Sequence, residues 1–215
     1  MSGPTVLGFD TSGAYCGAAL FRDGDVVAAR HEDMTRGQAE RLFPLLEEVL
    51  AESGAQWSEL HALGTGIGPG NFTGIRISVA ASRGLSLSLG IPAVGIPLMD
   101  ALALDAPVPA LLLLKAPRQQ HYASVLNTDG LSDPQIYATE DLPTMPNGAA
   151  CVGEGSQELA PRLGLTAVPA KYAPASAIAR LAAQRANADH PPPTPLYLRP
   201  ADAAPPREAP PTIRP

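Results

Sequence analysis

The sequence predicts a two-lobed α/β protein in which α+β-type mixed sheets carry helices. Three observations predict it: a run of strand signals with an Asp-Gly hairpin turn at the start, two helical segments that each stop at a glycine, and a fresh set of strands after Pro107. At 215 residues the chain can bury a core without staples. No solenoid-length repeat is present.

Thr5 to Asp10 reads as a buried strand and Tyr15 to Phe21 as a second. The turn Arg22-Asp23-Gly24-Asp25 makes a hairpin with a third strand, Val26 to Arg30. Ala39, Leu42, Phe43, Leu46, Val49 and Leu50 then recur at helical spacing, with Glu40, Arg41, Glu47, Glu48 and Glu52 mainly opposite. Gly54 stops this amphipathic helix, and Pro44 inside it predicts a kink. A strand over Ala62 to Gly66 leads into a glycine-rich loop and a helix from Thr73 to Leu89 that stops at Gly90. Ile75, Ile77, Val79, Ala80, Ala81, Gly84, Leu85, Leu87 and Leu89 run most of the way round that helix, so it should be covered on several sides, with another chain as a candidate for one cover.

A second lobe starts at about residue 106, giving lobes of 1–105 and 106–200. Its strands are expected at Ala110 to Leu114, His121 to Leu126, near Gln135 to Ala138, and at Ala149 to Gly153. An alanine-rich helix follows over Ala175 to Ala188, and a closing strand over Pro195 to Arg199. Beyond Pro200 the stretch ADAAPPREAPPTIRP is poor in aliphatic residues and rich in proline, so 201–215 reads as a disordered tail.

Composition excludes several functions. Cys16 and Cys151 are too few for a disulfide framework and lack CxxC spacing, which suits a reducing cytoplasm. There is no signal-like start and no run of twenty apolar residues, so a cytoplasmic protein without membrane contact is expected. A net charge of −6 without a Lys/Arg run makes the chain alone a poor binder of phosphate backbones. His31, His61, His121 and His190 have no HxxxH or HExxH spacing, so no metal site is expected, and no GxSxG elbow supplies a nucleophile.

The most informative stretch is GTGIGPGNFTGIR, residues 64 to 76. Glycines at Gly68, Gly70 and Gly74 permit close backbone approach. A loop that opens a helix also offers free N–H groups to an anion. Yet the spacing fits neither phosphate motif. No lysine occurs before Lys115 to complete a Walker loop, and GxGxxG fails from Gly64, Gly66 and Gly68 alike. Asp10, Thr11, Ser12 and Gly13 end the first strand at a tight turn, where actin-like ATPases hold a magnesium-bound phosphate; the same residues could simply cap the turn. Arg76 has two readings, a structural ion pair at the start of the helix or a contact to a nucleotide phosphate or partner carboxylate.

Together the opening VLGFDTS, the helix AERLFPLLEEVL and the loop resemble the TsaB (YeaZ) family, the small subunit of the bacterial tRNA threonylcarbamoyladenosine (t6A) machinery. The family stretch GPGSFTGLRIG stands here as Gly68-Pro69-Gly70-Asn71-Phe72-Thr73-Gly74-Ile75-Arg76-Ile77-Ser78, with Asn71 for serine and Ser78 for glycine. VGEGS at 152–156, APASAIARLA at 173–182 and PLYLRP at 195–200 match further, while Lys115 replaces the aspartate of a DARRGEVY-like segment.

The resemblance implies a two-lobed actin-like (ASKHA) fold that is catalytically degenerate beside its larger paralogue TsaD. It implies no catalytic residue of its own and no cofactor required by this chain, with room left for ATP or ADP at the partner interface. The implied role is activation of TsaD for t6A formation at position 37 of tRNAs reading ANN codons. Implied partners are TsaD, the TsaE ATPase, tRNA through the complex, and a second copy when the chain is alone. Carried onto the two N-terminal helices, the partner-binding residues are Leu42, Phe43 and Leu46, which supply apolar area, and the small-residue stripe of Ser78, Ala81, Ser82 and Leu85. Asp10, Thr11, Ser12, Gly68, Gly70, Asn71, Thr73, Gly74 and Arg76 form a nucleotide or phosphate loop, vestigial in this reading. In a competing reading the same residues serve an ASKHA-type ATPase or phosphotransferase; a glycoprotease-like peptidase is a third.

Overall fold

In the computed structural model, residues 3–186 and 190–198 are described. The stretch 201–215 and Arg199 lie outside the described residues. The first sheet is built from β1 (Val6–Asp10), β2 (Tyr15–Arg22), β3 (Asp25–Asp33), β4 (Ala62–Gly66) and β5 (Ala93–Ile96), in the order β3-β2-β1-β4-β5. β1, β2 and β3 form the predicted antiparallel meander, and β4 and β5 add in parallel. The β2–β3 turn is made by Asp23 and Gly24, both at positive φ (53° and 91°), as a tight hairpin with a right-handed twist demands.

The two faces of β1 feed different cores. Leu7 and Phe9 join Leu42, Leu45, Leu46, Val49 and Leu50 of α1 (Gln38–Ser53). Val6 joins Ala177, Ile178, Leu181 and Ala182 of α5 (Pro174–Arg185). With α2 (Phe72–Leu89) beside α1, the sheet is a layer between an α1/α2 pair and α5. α5 lies close because two strand positions have no side chain. A Cβ on Gly8 would stand 2.6 Å from the Ala179 nitrogen, and one on Gly64 2.7 Å from the Ala182 Cβ.

The second sheet has β6 (Ala110–Ala116), β7 (Gln120–Asn127), β8 (Gly130–Leu131), β10 (Ala150–Gly153) and β11 (Thr166–Val168) in the order β11-β10-β6-β7-β8, and β9 (Gln135–Tyr137) also pairs with β7. Read from its other end, this is the strand order of the first sheet: a central strand with an antiparallel hairpin on one side and parallel strands on the other. α3 (Leu98–Ala103) links the lobes, and α4 (Ser156–Arg162) covers the second sheet.

Several expectations need correction. α5 belongs in sequence to the second lobe, yet it completes the first, its alanine-rich face packing directly on the glycines of β1 and β4. Pro195–Leu198 forms no strand; it crosses the glycine loop as an extended segment, with Leu196 N–H donating to the Ile67 carbonyl at 2.8 Å. α1 carries Pro44 inside its helical run. Within this chain α2 is covered on one side: Arg76, Ala80, Arg83, Gly84 and Leu87 are exposed, Leu87 by 87 %.

Candidate functional site

The glycine loop folds onto the β1–β2 turn, and each contact between them has an identifiable cause. Asn71 donates its backbone N–H to the Ser12 carbonyl at 2.6 Å, and its side chain caps α2 by accepting from Gly74 N–H at 3.0 Å. Thr11 Oγ1 donates to the Gly74 carbonyl at 2.7 Å. A Cβ on Gly74 would stand 2.0 Å from the Thr11 carbonyl oxygen, and one on Gly70 2.5 Å from that of Ser12. The glycines are therefore needed for backbone against backbone. Gly68, at φ 98°, turns the chain into the loop, and its carbonyl accepts from Leu98 N–H at 2.8 Å.

Asp10 is fully buried beneath this contact. One carboxylate oxygen accepts from Ser12 N–H at 3.2 Å; the other accepts from Ser12 Oγ at 2.9 Å and from the Tyr15 hydroxyl. Burial raises its pKa above the ordinary carboxylate value, opposed by those hydrogen bonds, and burial also pushes Tyr15 well above the usual phenol range. Both oxygens are thus occupied by protein donors. Burial likewise pushes Cys16 and Cys151 up to about 11, so neither thiol is a ready nucleophile.

Between the lobes, in front of this turn, lies a cleft of about 620 Å³ lined by Ser12, Gly13, Asn71, Lys115 and Glu154 among others. Lys115 donates its backbone N–H to Glu154 at 3.0 Å, across the two strand ends. A separate groove of about 580 Å³ runs between α1 and α2, lined by Ala39, Leu42, Phe43, Ile77, Ala80, Ala81, Gly84 and Leu85.

The structure divides the partner-face residues. Phe43 is 45 % exposed, and Ala81 and Leu85 are half-buried at the groove. Leu42 and Leu46 are core residues at 1 % and 0 %. Ser78 and Ser82 are buried too, Ser78 donating to the Gly66 and Ile75 carbonyls and Ser82 to that of Val79. The small-residue stripe is therefore split: Ser78 and Ser82 are buried in the fold, while Ala81 and Leu85 line the groove beside Ala80 and Gly84. Arg76 makes no ion pair among the described residues. Its guanidinium lies over the Phe72 ring at 4.1 Å, and its Nε donates to the Tyr197 hydroxyl at 2.9 Å. Tyr15 and Tyr197 were missed as site residues, and only contacts across the fold reveal them.

A family model described as TsaD, tRNA N6-adenosine threonylcarbamoyltransferase, matches residues 30–190. The tRNA threonylcarbamoyladenosine biosynthesis protein TsaB of Escherichia coli is 35 % identical over 101 residues, 47 % of this chain and 43 % of that one. The chain belongs to the TsaB (YeaZ) branch of this family. Its match thus spans less than half the length of the E. coli relative. A Pseudomonas aeruginosa protein described as similar to peptidase YEAZ superposes with a TM-score of 0.77 at 24 % identity, over 91 % of this chain and all of that one. The activator of the 2-hydroxyisocaproyl-CoA dehydratase from Clostridium difficile, with bound ADPNP, superposes at 0.59 and 9 % identity, over 85 % of this chain and 95 % of that one. These likenesses show the actin-like ATPase fold.

A nucleotide held through magnesium at Asp10 does not fit the TsaB-type residues present here. The carboxylate has no exposed surface, both its oxygens are taken, and the Asn71 and Gly74 N–H groups of the loop already donate within the protein. No described helix is long and apolar enough to cross a membrane.

Proposed function

We propose that this chain is a non-catalytic subunit that docks its α1/α2 face onto a TsaD-type carbamoyltransferase and activates it for t6A formation at position 37 of tRNAs reading ANN codons. The observation that carries this reading is the pairing of an open apolar groove with a closed Asp10 turn. The groove leaves Phe43 in water, and Leu87 stands exposed farther along α2, an arrangement that marks a surface to be covered. The turn, by contrast, spends its polar groups on itself. TsaE joins as a further partner, tRNA is met through the complex, and the same groove pairs two copies when the chain is alone. No cofactor is required by this chain.

The test is reconstitution with the same organism's TsaD and TsaE on unmodified tRNA, omitting each protein in turn. Omission of this chain is expected to abolish modification, and the chain alone to produce none; modification that persists without it overturns the reading. Gly84→Phe sharpens the test. A Cβ at Gly84 meets nothing within 4 Å, so the variant should fold, yet its ring would fill the groove and abolish activation.

A further inference from the structure

Arg76 belongs to the exposed stripe of α2 that continues through Ala80 and Gly84, one helical turn at a time. A free arginine at such a place would sample many rotamers; this one is held. Phe72, one turn earlier, supports the guanidinium plane at 4.1 Å. Tyr197, which arrives from 121 residues away, stacks on Phe72 with ring centroids 4.8 Å apart and an interplanar angle of 29°, and its hydroxyl accepts the Nε–H at 2.9 Å. Leu196, the preceding residue, is tied to Ile67 by the backbone, and Leu198 packs against the cluster of Met99 and Leu112. Both neighbours of Tyr197 are therefore fixed.

With Nε spent on Tyr197, the two terminal amino groups of Arg76 have no partner among the described residues. They offer the parallel N–H pair that fits a carboxylate in bidentate fashion, on a side chain whose ordering has occurred before binding. The charge around the groove selects the partner further. Exposed Arg76 and Arg83 lie on α2, while exposed Glu40 and Glu47 lie on α1. A continuous polyanion such as an RNA backbone would meet the α1 acids and the net charge of −6. A helical protein surface with acids opposite α2 would not.

We propose that Arg76 receives a carboxylate of the TsaD-type partner at the head of the α1/α2 groove, with Tyr197 as its positioning residue. The inference rests on the docking reading above.

Calorimetric titration of the full chain with the same organism's TsaD tests it, using Arg76→Gln, Tyr197→Phe, the double variant and Gly84→Phe, each first shown to melt cooperatively and no lower than wild type. Arg76→Gln is expected to weaken binding about tenfold or more and to flatten its salt dependence. Tyr197→Phe should weaken it about threefold, and the double variant should be no weaker than Arg76→Gln alone, because the tyrosine acts only through the arginine. Arg76→Lys should recover only part of the loss, lacking the flat fork. If Arg76→Gln binds within about twofold of wild type while Gly84→Phe abolishes binding, the docking reading stands and this inference falls. If neither variant changes binding, the docking reading itself fails. Additive losses from Arg76→Gln and Tyr197→Phe overturn the positioning role. Retention of unmodified tRNA by the chain alone on a filter, lost on Arg76→Gln with TsaD binding unchanged, assigns the arginine to nucleic acid and overturns the carboxylate.

Discussion

Asp10 is a buried carboxyl whose hydrogen bonds all stay within its own turn. Its carboxyl accepts from Ser12 and Tyr15 inside the protein, and burial raises its pKa above the 3.8 of the exposed group. A raised folded value means that the native state holds the proton more tightly than the unfolded chain does. The stability contributed is therefore complete below the unfolded value and is lost as pH rises through the folded one. Denaturant unfolding of wild type and Asp10→Asn across pH 4 to 7 should show wild-type stability declining with pH relative to the variant; parallel curves would contradict this. Gly74 lies in the same contact from the other side. Gly74→Ala would drive a Cβ to 2.0 Å from the Thr11 carbonyl, where only backbone movement relieves the clash. A loss of about 3 kcal/mol is expected, read as a lowered denaturation midpoint.

At the scale of elements, the α2 boundaries were legible to within a residue. Asn71 is a capping side chain that satisfies the Gly74 N–H, and Gly90 takes φ 68° at the other end, so both stops have a local chemical cause visible in the sequence. The same holds for α1 and Gly54, and for β4, found at its predicted limits. The face that each helix buries was less legible. α2 is apolar or small nearly all round, so periodicity could not say whether Ser78 and Ser82 or Ala80 and Gly84 looked outward; the deciding factor is that Ser78 reaches the Gly66 carbonyl of β4. Short elements, β5, α3, β8, α4 and β11, were missed because two to seven residues carry too little pattern. The outward position of Gly84 gives an independent check. Gly84→Ala should stabilise the isolated chain by about 0.5–1 kcal/mol, since the helix gains a better former and the methyl meets nothing, and chemical denaturation would measure it.

Over the whole molecule, two sheets of one strand order stand side by side, but their helices are not dealt out by sequence. The second lobe's strands were legible as a reset after Pro107, whereas the place of α5 was not, because an alanine-rich helix carries no mark of the sheet it will cover. That mark lies in Gly8 and Gly64, far upstream. Without α5, Val6, Ala62, Val94 and Ile96 would lose their cover. A chain truncated after residue 170 should therefore unfold without a cooperative thermal transition by circular dichroism, although it retains every strand of both sheets; a sharp transition would refute the assignment. The arrangement also has a consequence for synthesis. The first sheet is complete once β5 leaves the ribosome at Ile96, but its second cover ends at Arg185, roughly ninety residues later, on the order of 5–18 s of elongation. For that interval one apolar sheet face is exposed in the nascent chain, so folding of the N-terminal half should be completed only near the end of translation, and chaperone occupancy should peak before α5 emerges.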